Sequence, residues 1–136
     1  MRTLILALML SASLCTSALA FQETWVSEGG ASAVIIGSLT VNLQGNAGSI
    51  TFQNGKTMGL RKVAEEDGRI LFEVVPPQDP ILKYGNRLCG MDTPVTRVLL
   101  DIGQPMGRYL TVWSGEQHCA MYPMYEKNAY DRIGQE

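Results

Sequence analysis

The chain has 136 residues, with 11 Lys+Arg against 13 Asp+Glu and a net charge of −2. So small an imbalance, with no basic stripe, leaves no electrostatic footprint for nucleic acid, and no polybasic or amphipathic segment offers itself to a membrane surface. The length suits one domain large enough to bury a core.

The first elements in chain order are those of a signal peptide. Arg2 supplies a positive start, Leu4 to Leu10 form a short apolar run, and Ala18-Leu19-Ala20 places small residues where a signal peptidase reads. Residues 1–20 are therefore expected to be cleaved before Phe21, leaving residues 21–136 as a single β-rich domain in the periplasm or the secreted fraction. A membrane-spanning helix needs about twenty apolar residues, and Ser11, Ser13, Thr16 and Ser17 interrupt this run. No later apolar run is long enough, so the mature chain is not expected to insert into a membrane. Cys15 does not fit lipoprotein processing, which wants a small residue where Leu14 stands.

Residues 21–33 mix polar side chains with Gly29-Gly30 and read as a lead-in anchored by Trp25. A strand is expected from Val34: Val34, Ile35 and Ile36 are β-branched, and Leu39, Val41 and Leu43 then alternate with polar residues. Gly45 to Gly48 turns the chain into Ile50 and Phe52. Asn54-Gly55 then suggests a type I′ hairpin turn, which needs positive φ at both central residues. The next strand runs over Thr57–Val63, Asp67-Gly68 makes a second hairpin tip, and Ile70–Val75 returns. Pro76-Pro77 should end that strand, because proline cannot donate to a ladder, and residues 76–87 read as a loop. Pro94–Ile102, Arg108–Trp113 and Cys119–Tyr125 give three more strands, followed by a polar tail from Lys127 of one helical turn at most. Seven or so short strands joined by tight turns predict a small antiparallel β-barrel or sandwich.

In an exported protein the two remaining cysteines, Cys89 and Cys119, are most simply one disulfide. The loop closed is about 31 residues, worth about 3.7 kcal/mol in the chain-entropy model.

Four chemistries can be weighed on the residues. The single histidine, His118, adjoins Cys119, and neighbours on a strand point to opposite faces, so a Cys-His pair is badly placed. Ser114 lacks the flanking glycines of a nucleophile elbow, and Glu65, Glu66 and Asp67 sit on a turn tip where solvated carboxylates are ordinary; no enzyme activity is expected. His118, Met121 and Met124 have the imidazole and thioether donors that suit Cu(I). A spacing of three sends Met121 to the opposite face, however, and methionine is ordinarily core filler. No other cofactor pattern is present. The fourth chemistry is recognition: Ser114 to His118 is a short polar loop pinned at its end by Cys119, and a pinned loop loses little entropy on docking.

The segments Pro77 to Leu82, Asn86 to Gly90 with its Leu88-Cys89-Gly90, Pro94-Val95-Thr96, Trp113-Ser114-Gly115 and Cys119 to Tyr122 resemble those of a group of small proteobacterial periplasmic proteins. The build is also similar to periplasmic inhibitors of C-type lysozymes. That resemblance implies a small β-barrel, an Asn-Gly turn, a disulfide and a Ser-Gly loop that enters the lysozyme cleft. In those inhibitors a basic residue and a tyrosine follow the Ser-Gly closely; here Glu116 follows, and Tyr122 lies beyond Cys119. The expected function is an exported, non-catalytic binding protein whose partner is a protein such as lysozyme, contacted by Ser114, Gly115, Glu116 and Tyr122. The alternatives are a periplasmic copper-binding protein and an envelope structural or assembly factor.

Overall fold

The structure, a computed structural model, describes residues 20–90 and 93–135; the expected signal segment lies outside the described residues except for Ala20. Eight antiparallel strands follow one another around a closed barrel. They are β1 (Ala20–Val26), β2 (Ser38–Gln44), β3 (Ala47–Phe52), β4 (Thr57–Glu66), β5 (Arg69–Gln78), β6 (Val95–Asp101), β7 (Gly107–Ser114) and β8 (Gln117–Glu126). Closure comes from β1 against β8, through Trp25↔Glu126 and Val26↔Tyr125. Closing the sheet removes the free edges that would otherwise recruit another chain. The architecture is thus a barrel, with one strand more than the sequence suggests.

The period of two along each strand sends one set of side chains inward. Leu39 and Val41, Ile50 and Phe52, Met58 and Leu60, Val98 and Leu100, Leu110 and Val112 are all buried. Trp25, Phe72, Tyr122 and Met124 fill the axis between them. An eight-stranded barrel is just wide enough for side chains to fill it or for one small ligand. Here side chains fill it. Each buried aliphatic or aromatic group contributes about 1.5–3 kcal/mol from apolar burial.

Several local expectations are corrected. The lead-in is strand β1, because Phe21, Glu23 and Trp25 share the inward face opposite Leu43, Val41 and Leu39. Val34 to Ile36 is no strand but part of a single wide helical turn, Ser32–Ile36, closed by Gly37 N–H donating to Ser32 O at 2.9 Å. Gly37 reaches φ 76°, which lets the chain reverse there, and Ile36 drops onto the end of the core. At Asn54-Gly55 only Gly55 has positive φ. Gly55 N–H bonds to Phe52 O while Phe52 N–H bonds to Lys56 O, which makes a three-residue loop rather than a type I′ turn. The reason lies in the Asn54 side chain: it accepts from Lys56 N–H and donates to Ile81 O, so it caps its own turn and ties it to a distant loop. At Asp67-Gly68 both φ values are positive, the geometry expected of type I′. The prolines Pro76-Pro77 break the ladder, since pairing with β6 skips from Glu73 to Gln78, but the strand resumes at Gln78. The polar tail forms a longer helix than expected, α1 (Lys127–Gln135). The Glu126 carboxylate accepts from Asn128 N–H and Ala129 N–H and so caps its first turn. Among the described residues no helix is long and apolar enough to cross a membrane.

Candidate functional site

The β7–β8 connection is a two-residue turn, Gly115-Glu116, because Ser114 pairs directly with Gln117. Gly115 has φ 61° while Glu116 does not leave the ordinary region, the pattern of a II′ turn. This is the recognition loop expected from the sequence, and it is held from below. Gly115 N–H donates to Thr96 Oγ1 at 2.9 Å, and Arg97 Nη2 donates to Gly115 O at 3.2 Å. Arg97 itself lies over the Trp113 ring, 5.6 Å from its centroid. His118 meets the same indole edge-on, with ring centroids 5.8 Å apart. Thr96 and Arg97 are therefore the residues that make the turn rigid, and the sequence assigns neither of them to the tip. Their only signal is their place on the strand next to β7.

The expected contact residues separate into two kinds. Gly115 and Glu116 are exposed at the tip, beside an open groove of about 520 Å³ that also takes in Val75, Pro77 and Arg97. Ser114 is buried, donates to Pro94 O at 2.8 Å and shares a short hydrogen bond with Thr93. Its hydroxyl is committed to the barrel and is not offered to a partner. Tyr122 is inside the barrel, and its hydroxyl donates to Leu88 O. Burial, reinforced by the negative charge of Asp79, pushes the Tyr122 phenol up to about 12. Tyr122 is thus a clamp on the long loop rather than a contact at the tip.

That loop is held at three further points. Cys89 and Cys119 form the expected disulfide, with Cα atoms 5.2 Å apart, which joins the loop to β8. Asp79 accepts from Cys89 N–H and Gly90 N–H, and Arg87 reaches back to Asp79 O. An acidic side chain under successive backbone N–H groups satisfies donors that a loop would otherwise expose.

The copper set is not assembled. Pairing shifts between Val112 and Trp113, so Val112 faces Ala120 while Trp113 faces His118, and Cys119 is the extra residue of a bulge. His118 and Met121 consequently lie outside, Met121 54% exposed, whereas Met124 is buried in the core at 2%. Nor do Ser114 and His118 form a nucleophile pair, since one faces inward and the other stacks on the outer face. Among the described residues no group of three or more His, Cys, Asp or Glu could hold a metal ion. Comparison with protein-family models, with curated proteins and with solved structures finds no match to this chain.

Proposed function

We propose that this is an exported, non-catalytic binding protein that engages a protein partner through the β7–β8 tip, with a lysozyme-type glycosidase as the concrete partner. The observation that carries the reading is that the exposed Gly115-Glu116 turn is fixed to β6 by Thr96 and Arg97. A turn ordered before contact gives up little entropy on docking. A core filled by side chains favours a surface partner over a ligand carried inside the barrel. Glu116 supplies the contact charge, complementary to a basic enzyme surface. Ser114 serves as the tether beneath it.

The test is to follow lysis of cell-wall suspensions by hen-type lysozyme with the disulfide-intact protein in micromolar excess. Slowed lysis that is relieved by Glu116→Lys supports the proposal. Unchanged lysis rejects the lysozyme assignment.

A further inference from the structure

The outer surface of the barrel has two unlike halves. On β1–β3 and the start of β4 the outward residues are polar: Gln22 pairs with Asn42 and Asn42 with Ser49, while Thr24, Thr40, Thr51 and Thr57 form a second row. On β5–β8 the middle outward row is largely apolar, with Leu71 opposite Leu99, Leu99 opposite Thr111 and Thr111 opposite Met121. A row of half-exposed apolar side chains rimmed by polar residues is a candidate contact surface.

The charges of the rims narrow the choice of partner. Along one side of the stripe run Glu73, Arg97 and Trp113, on β5, β6 and β7. Along the other run Arg69, Asp101 and Tyr109, on the same three strands. The signs alternate along each rim and are opposite between rims on β5 and β6, beyond the in-chain pairs that Glu73 makes with Arg61 and Arg69 with Asp101. A two-fold axis lying along the stripe, between two barrels packed face to face, would set each rim against the opposite rim of the other copy. Glu73 would then face Arg69, Arg97 would face Asp101, and Trp113 would face Tyr109. An axis along the strands would instead set Arg97 against Arg97 and Asp101 against Asp101. Charge therefore selects one arrangement. We infer that this face is the interface of an isologous homodimer, centred on Leu99, with its two-fold axis along the Leu71–Leu99–Thr111 row. The convex wall confines contact to β5, β6 and β7, where the complementary residues are. Two open hollows of about 630 and 520 Å³ flank the stripe on opposite sides, and the same axis sets the first of one copy against the second of the other. This inference does not rest on the partner proposed for the tip, although the second hollow is the groove that Gly115 and Glu116 also line.

The experiment is sedimentation velocity on the purified, disulfide-intact protein alone, over a range of concentration and salt. A concentration-dependent dimer, weakened by added salt, is expected. Arg97→Glu should weaken it about tenfold or more, because like charges then meet twice in the interface. Adding Asp101→Arg to Arg97→Glu should restore dimerisation to within about threefold. The double change does not restore the bond from position 97 to Gly115 O, so rescue reports on the interface and not on the turn. Glu73→Arg with Arg69→Glu provides a second swap should the first perturb folding, checked by circular dichroism. Asn42→Glu on the polar half should change nothing. A protein that stays monomeric at about 1 mM, or a double swap no better than its single parent in both pairs, overturns the inference.

Discussion

Arg108 and Glu23 meet inside the barrel as a doubly bonded ion pair, Nε to Oε1 at 2.8 Å and Nη2 to Oε2 at 3.0 Å. The pair joins β7 to β1 across β8, which separates them in the sheet. Trp25 Nε1 donates to the same carboxylate at 3.0 Å, and Arg108 Nη1 satisfies Gln104 O and Gly107 O. With Arg108 6% exposed, every charged atom needs such a partner.

Removing one member of this pair strands the other charge in a low-dielectric interior. Glu23→Ala or Arg108→Ala should therefore cost about 3–5 kcal/mol. Replacing both by apolar residues should cost less than the sum of the single changes. Urea denaturation of the four proteins as a double-mutant cycle measures this.

Tyr122→Phe deletes the donor to Leu88 O and leaves a buried carbonyl unpaired, at a cost of about 1–3 kcal/mol. A pH signature accompanies the loss. The phenol titrates near 10 when unfolded and near 12 when folded, so between those values the unfolded state releases a proton that the native state keeps. Stability from this group is complete below pH 10 and falls as pH rises toward 12, by on the order of 2 kcal/mol. Chemical denaturation at alkaline pH should show that decline in the parent protein and lose it in Tyr122→Phe.

The tip separates a tether from a contact. Ser114→Ala should destabilise by about 0.5–1.5 kcal/mol because the bond to Pro94 O is lost. Glu116→Ala, at an exposed turn position, should change stability by no more than about 0.5 kcal/mol while weakening partner binding. Thermal unfolding beside an inhibition assay distinguishes the two, and equal stability loss at both positions would contradict these roles.

Cys89→Ser with Cys119→Ser should cost about 3.7 kcal/mol through the freed loop. The barrel itself should persist, because Asp79 and Tyr122 hold the same loop by hydrogen bonds. Amide exchange should speed up in residues 79–90 far more than in β2 and β3.

Legibility followed the range of the forces involved. Leu39, Val41, Ile50 and Phe52 announce their inward face by alternation alone, since the period of two is a property of the strand. Asp67-Gly68 announces its turn because positive φ is a local demand. Val34 to Ile36 misleads because the β preference of branched residues is weaker than the reversal that Gly37 permits, and than the gain from seating Ile36 on the core. Glu23 hides in a polar stretch because nothing nearby in sequence reveals that Arg108 waits across the barrel.

By itself, the sequence determined an all-β chain of short antiparallel strands and, in Cys89 and Cys119, the pair of cysteines that the disulfide joins. These follow from local periodicity, turn chemistry and cysteine count. Only the tertiary structure decided that the strands close, with Trp25 pairing Glu126 from opposite ends of the chain. Closure also turned Ser114 and Tyr122 into supports, left Glu116 at the tip and set Leu71, Leu99 and Thr111 in one outer row. The physical reason is that burial and register are fixed by contacts between distant strands, so a side chain's role depends on which wall of the barrel it faces.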